Sequence, residues 1–172
     1  MNRTAEPTVT VREAVPSEHA EAGEVTVEAY RRYARTDDPD WHEYLAAIAD
    51  VEGRADRTTI LVALVDGRIV GSATLELWDR VEQHDDAALH PEEAHVRMLG
   101  VHPDSRRRGV ARALMQACFD RARAEGKTFV TLHTTEGMRE ARRMYEALGF
   151  ERLDDRVFPD GFVLLTYRRS IA

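Results

Sequence analysis

The sequence predicts an α/β protein: a single domain over about residues 8–170, with seven strands and some parallel pairing among them. Three observations point there. The hydrophobic pattern changes period along the chain, alternating in some runs and recurring every three or four residues in others. The elements follow as strand, two helices, three strands, helix, strand, helix, two strands; a strand–helix–strand–helix stretch inside a longer sheet favours layered α/β packing with parallel neighbours. Finally, 172 residues at 43% hydrophobic and 32% charged are enough for one domain with a full core.

Each element has a local reason. Thr8 to Arg12 alternates apolar and polar residues and reads as a strand. Pro16 and Ser17 then open a helix over His19 to Tyr33, with Ser17 as its candidate cap. Thr36-Asp37-Asp38-Pro39-Asp40 breaks the chain, and Asp40 can cap a second helix from Trp41 to Glu52, with Leu45, Ile48, Ala49 and Glu52 on one face. Thr58 to Val65 and Ile69 to Trp78 flank Asp66-Gly67, a strong hairpin signal. Asp79 to Glu93 is acidic and reads as a loop or short helical insertion. Ala94 to Val101 is the next strand. Gly109 to Glu125 is a long helix stopped by Gly126. Phe129 to Thr134 is a strand and Met138 to Leu148 a helix stopped by Gly149. Phe150 to Phe158 and Phe162 to Arg168 close the chain as a hairpin.

Composition narrows the partners. Twenty-four basic against 31 acidic residues leave a net charge of -7, a poor balance for general nucleic-acid binding. No apolar run is long enough to span a membrane. The first fifteen residues lack the apolar core of a signal peptide, so the expected compartment is the cytoplasm, and Asn2-Arg3-Thr4 carries no weight as a glycosylation triplet. Cys118 is the only cysteine, which excludes an internal disulfide and a cysteine-based metal cluster. No HExxH is present, and no metal site is readable. The Walker and dinucleotide fingerprints are absent too.

Two segments carry chemistry. In the first, Val101 ends a strand, a loop runs through Arg106, Arg107 and Arg108, and a helix opens after Gly109 with Val110 and Ala111. Unpaired N–H groups and the dipole at a helix start attract anions, glycine lets a ligand approach the backbone, and arginine adds charge-assisted bonds to phosphate. The plainer reading is a solvated basic turn. In the second, Ala141, Met144, Tyr145 and Leu148 share one helix face before Gly149 and Phe150. Tyr145 can donate its proton to a leaving group or serve as a core aromatic.

Together the two segments resemble the GCN5-related N-acetyltransferase (GNAT) superfamily. The first resembles its acetyl-CoA motif through Arg106, Gly109 and Ala111. The second resembles its Asn-x-x-Ala-x-x-(Leu/Met)-Tyr-x-x-x-Gly-Phe pattern through Ala141, Met144, Tyr145, Gly149 and Phe150. The element order fits over nearly the whole chain. The resemblance implies a mixed, mostly antiparallel sheet of about seven strands with helices on both faces. It implies transfer of an acetyl group from acetyl-CoA to a primary amine by direct attack in a ternary complex, without a metal. The strand at Arg97 to Val101 would splay from Phe129 to Thr134. The pantetheine arm would lie in the gap against Leu99 and Val101, and the pyrophosphate on the N–H groups of Arg107, Arg108, Gly109, Val110 and Ala111. Tyr145 would face the thioester sulfur.

The sequence departs from the pattern at two places. Met138 stands where the family has asparagine, which removes side-chain amide bonds to the backbone or cofactor arm. His133, twelve residues before Tyr145, stands where some members carry a basic glutamate. An imidazole titrates near neutrality and can be the base, line the acceptor pocket, or do neither. Glu93, with His95 on its side of the strand, is a second candidate base. If Glu76, Trp78, Asp79, Glu82, Asp85 and Asp86 rim the pocket, they would draw in a small cationic amine. Tyr30, Tyr33, Trp41 and Tyr44 can form the opposite lip. A small molecule is favoured over a protein acceptor, with no nucleic acid and no membrane as partner, and a homodimer is left open. The alternative is an acetyl-CoA-binding regulatory or assembly module with little or no transfer.

Overall fold

The structure, a computed structural model, describes residues 8–34, 38–77 and 89–172. Asn2-Arg3-Thr4, Thr36, Asp37, Trp78, Asp79, Glu82, Asp85 and Asp86 lie outside the described residues. Eight strands are found among those described: β1 (Thr10–Glu13), β2 (Thr59–Val65), β3 (Arg68–Leu77), β4 (Glu93–Val101), β5 (Phe129–Thr134), β6 (Glu151–Arg152), β7 (Arg156–Val157) and β8 (Val163–Ser170). The helices are α1 (His19–Tyr30), α2 (Pro39–Ala49), α3 (Glu52–Ala55), α4 (Val110–Ala124) and α5 (Arg139–Ala147).

The sheet runs β1-β2-β3-β4-β5-β8-β6, with β7 beside β8. Only β4 and β5 pair in parallel; every other pair among the described strands is antiparallel. A parallel pair needs a crossover, and α4 supplies it. The fold class read from the sequence therefore stands: a mixed, mostly antiparallel sheet with helices on both faces.

Burial explains the layers. Leu114, Met115, Cys118, Phe119 and Ala122 give α4 one apolar face, buried against Leu61, Ala73, Leu75, Val96 and Leu132 of the sheet. Tyr145 of α5 and Phe150 join the same core. Ala22 and Val25 of α1 pack on the opposite face with Val51, Ile60, Val62 and Ile69. Asp66 and Gly67 both have positive φ (50° and 76°), as the two-residue turn of a twisted hairpin requires.

Several local expectations are corrected. Ser17 does not cap α1. It sits in a 3-10 turn (Pro16–Glu18), where the Glu18 carboxylate accepts the Val15 N–H at 3.0 Å and is held by Arg12. Asp38, not Asp40, caps α2, because α2 begins two residues earlier than expected, at Pro39, and the Asp38 carboxylate accepts the Asp40 N–H. The helix expected to reach Tyr33 tightens into a 3-10 turn from Arg31. The second helix stops at Ala49, and Glu52 begins α3. Phe150 to Phe158 is not one strand. Arg152 folds back onto Asp155 in a bidentate pair at 3.0 and 2.8 Å, and the chain divides into β6 and β7 around it.

Arg54, unremarked in the sequence, explains how α2 ends. It is 8% exposed. Its guanidinium donates to the carbonyls of Ala47 (2.8 Å), Ile48 (3.1 Å) and Asp50 (2.8 Å) and to the Thr74 hydroxyl (3.1 Å). Those carbonyls belong to the last turn of α2 and its C-cap residue Asp50, where helical donors run out. Burial, with Arg97 nearby, lowers its pKa to about 10, still protonated at neutral pH. Among the described residues no helix is long and apolar enough to cross a membrane. Arg54→Ala should cost about 2–4 kcal/mol, because several buried acceptors lose their donor at once. Urea denaturation with an unchanged m-value and a lower midpoint would show it.

Candidate active site

The site begins with an irregularity in β4. The β3–β4 ladder pairs Thr74 with Arg97 and Ser72 with Gly100, so two residues, Met98 and Leu99, stand opposite Ala73. Met98 takes φ of 52° there. A bulge of this kind bends its strand and ends regular pairing. The parallel β4–β5 ladder runs from Glu93↔Phe129 to Val96↔Leu132 and goes no further. Beyond it, Leu99, Gly100 and Val101 form one wall of a cleft of about 650 Å³, and His133 and Thr134 line it from β5. That volume lies within the range of small-molecule sites.

The outer end of the cleft is the turn before α4. A 3-10 turn (Pro103–Ser105) leads into it, Arg107 has φ of 62° and Gly109 of 74°. Positive-φ residues alternating with ordinary ones aim successive N–H groups at one point and form an anion-binding nest. The first helical bond closes from the Ala113 N–H to the Gly109 carbonyl at 3.0 Å. The N–H groups of Val110, Ala111 and Arg112 therefore precede the helix's own ladder. A Cβ on Gly109 would meet nothing within 4 Å, so the glycine answers to its φ and to whatever ligand lies above it. Arg106 anchors the turn to the carbonyl of Ala29 at 3.4 Å. Across the mouth, Arg32 pairs with Glu140 at 3.2 Å, joining the end of α1 to α5.

Tyr145 lines the inner part of the cleft and is 7% exposed. Its ring stands edge-on to Phe150 at 5.8 Å and tilted to Tyr167 at 6.2 Å. Burial first, then Tyr33, Cys118 and Tyr44, holds the phenol well above its usual range. The hydroxyl therefore keeps its proton throughout the physiological range. His133 belongs to the opposite face of the sheet. Its Nδ1 lies 3.1 Å from the Thr166 hydroxyl, and its ring centroid is 4.9 Å from that of His95.

Leu99, Val101, Arg106, Arg107, Gly109, Val110, Ala111, Met138, His133 and Tyr145 are thus brought together on one cleft. Arg108 and Glu93 are not among its lining. Glu93 sits at the far start of β4, where one carboxylate oxygen accepts from the Thr131 hydroxyl and the other from the His90 N–H at 2.9 Å. Met138 is the N-cap residue of α5 and makes no side-chain cap bond, since its thioether is only a weak acceptor. Glu76, expected at the acceptor rim, is bonded to Arg97 at 3.1 Å. Tyr30, Tyr33, Tyr44 and Trp41 form a chain of edge-on rings 5.8–6.4 Å apart, and Tyr30 and Tyr33 reach the cleft. The positive φ of Met98 and Arg107 had no signal in the sequence, since neither residue type favours that region.

A parted parallel pair, an anion nest at its mouth and a buried phenol at its inner end define a site for a long ligand with an anionic head. The acetyltransferase (GNAT) family model matches residues 22–150. The chain belongs to that family. Over 99 residues it is 34% identical to an acetyltransferase of Pectobacterium atrosepticum, a match covering 58% of this chain and 62% of that protein, less than two thirds of its length. Among solved structures, one assigned to GNAT acetyltransferases from Desulfovibrio desulfuricans superposes with a TM-score of 0.72 at 20% identity, over 96% of this chain and all of that one. An acetyltransferase structure from Salmonella typhimurium, solved with its cofactor acetyl-CoA, gives 0.68 at 22% identity over 95% of this chain and 94% of that one. The ribosomal-protein-S18-alanine N-acetyltransferase of Escherichia coli gives 0.65 at 17% over 96% and 95%. At these identities the likeness is one of fold.

The raised pKa of Tyr145 has a sign that can be checked. A phenol held neutral by burial stabilises the fold below its unfolded pKa of about 10 and loses that contribution as pH rises further. In an ultraviolet titration of the folded protein, Tyr145→Phe should leave the tyrosinate absorbance gained below pH 11 unchanged. A loss of one tyrosine from that step would place Tyr145 in solvent.

Proposed function

We propose that this chain transfers the acetyl group of acetyl-CoA to the primary amine of a small molecule, by direct attack in a ternary complex. The observation that carries this reading is the single cleft joining the nest at Arg107–Ala111, the parted strands β4 and β5, and Tyr145. The residues fit the donor. N–H groups at the α4 start and the arginines beside them suit a pyrophosphate. The unpaired edge of β4 at Leu99 and Val101 offers backbone groups to an amide-bearing arm. Acetyl-CoA supplies an activated thioester when bound.

The side chains then divide the work. The amine approaches from the α1–α2 face, where the Tyr30, Tyr33, Tyr44 and Trp41 rings make an aromatic lip suited to a cationic group. As the C–N bond forms and the C–S bond breaks, the proton leaving nitrogen passes to His133, which lines the cleft from β5. Tyr145 faces the departing sulfur. A thiol titrates near 8.5 and this phenol well above 10, so full proton transfer to the thiolate is uphill. Tyr145 therefore acts as a hydrogen-bond donor to charge developing on sulfur. Holding amine and thioester in one cleft contributes about 7–11 kcal/mol to lowering the barrier when alignment is good. Glu76 is engaged by Arg97, so the attraction for a cationic acceptor rests on the ring faces rather than on that carboxylate.

Thiol release with a panel of small amines, alongside calorimetric titration with acetyl-CoA, tests the reading. Turnover on at least one amine supports it, and acetyl-CoA binding without any turnover would favour a regulatory module. Tyr145→Phe should lower kcat by about 10- to 100-fold and leave acetyl-CoA affinity within about threefold. Gly109→Ala should do the reverse, raising the acetyl-CoA Kd at least about tenfold through its strained φ and its added methyl, with kcat at saturation little changed.

A further inference from the structure

A polar chain runs along one face of the sheet beside the cleft, between β4 and β5. The Thr131 hydroxyl donates to Glu93, and the same oxygen lies 2.8 Å from Nδ1 of His95. His95 is 8% exposed, and its ring touches that of His133, which lines the cleft. A hydroxyl has one hydrogen, and a carboxylate can only accept. Thr131 spends its hydrogen on Glu93, so its oxygen must accept from His95. That requires the hydrogen of His95 to be on Nδ1 and leaves the lone pair on Nε2.

We propose that Thr131 is a positioning residue for acetyl transfer: anchored by Glu93, it fixes His95 as the neutral Nδ1–H tautomer, whose free lone pair supports the proton that His133 takes from the amine. The inference rests on the acetyltransferase reading above for the origin of that proton. The bond that breaks is the amine N–H; the proton goes to His133, and His95 changes neither charge nor tautomer. His95 is suited to this because burial, then His133 and Arg97, pushes its pKa down to about 3, so the two imidazoles do not both become cations near neutral pH. The charged and titratable groups around the pair are Glu76 from β3, Glu93 and Arg97 from β4, and Arg168 from β8, opposite Thr131. Tyr30 and Tyr44 lie beyond Arg97 on α1 and α2. The plainer role, a hydrogen-bonded core histidine with no bearing on catalysis, predicts no effect on the proton of His133.

Long-range proton–nitrogen spectra of the labelled, substrate-free protein test the tautomer without any turnover. His95 should show the Nδ1–H pattern unchanged from pH 5 to 8. Thr131→Val should release His95 to the Nε2–H form and move the His133 titration to lower pH, and Thr131→Ser should restore both. In kinetics, Thr131→Val should lower kcat about five- to tenfold, shift the acid limb to lower pH and leave the acetyl-CoA KM within twofold, with Thr131→Ser recovering the parent profile. An Nε2–H tautomer in the parent protein, or a Thr131→Val protein with unaltered His133 titration, overturns the proposal. Because the spectra need no substrate, that failure is separable from a failure to find an acceptor. If Thr131→Val does not fold, the parent spectra and Thr131→Ser still decide.

Discussion

The parting of β4 from β5 is the constraint on which the rest of the site depends. A sheet normally satisfies every inner backbone group by pairing, and two neighbouring strands in its middle have no reason to separate. Here an extra residue at Met98–Leu99 bends β4, and the ladder to β5 ends at Val96↔Leu132. The backbone beyond that point is free to bond a ligand instead of a strand. The irregularity persists because both faces are clamped. α4 lies on one side, α1 on the other, and Gly100 lets α1 come so close that a Cβ there would stand 2.9 Å from the Cβ of Ala29.

Opening the sheet from within brings side chains from both of its faces to one cleft. Tyr145 comes from the α4–α5 side, in a core with Phe150 and Tyr167. His133 comes from the side of α1 and α2, and Thr166 and His95 hold its ring. On the function proposed above, a donor for the departing sulfur and an acceptor for the amine proton thereby reach one cleft from opposite faces of the sheet.

Polar burial follows the same division. The α4 face is apolar and includes Cys118, whose thiol burial pushes up to about 12 and so keeps unreactive. The α1 face carries Thr74, Glu76, His95, Arg97 and Thr131, together with Arg54. Buried polar groups are costly unless bonded, and these are bonded: Arg54 to helix carbonyls and Thr74, Arg97 to Glu76, and His95 to Thr131. This face of the sheet therefore carries a polar layer whose donors and acceptors are paired with one another.

The sequence by itself determined most of the element order, the presence of parallel pairing inside the sheet and the hairpin at Asp66-Gly67, and it singled out the turn at Arg106–Ala111 and Tyr145 as candidates. These are local features, written as periodicity, turn chemistry and a motif spacing that a single segment can carry. Tertiary structure alone decided the rest. The bulge at Met98 and the positive φ of Arg107 arise from packing and loop closure, which no side-chain preference announces. The ends of α2 and the role of Arg54 depend on a sheet residue twenty positions away. Glu93 and Glu76 read as free carboxylates in the sequence, and their partners come from other strands or, for His90, from a folded-back loop. Whether a titratable group is free or engaged is a property of distance through space, and one strand's sequence does not contain it.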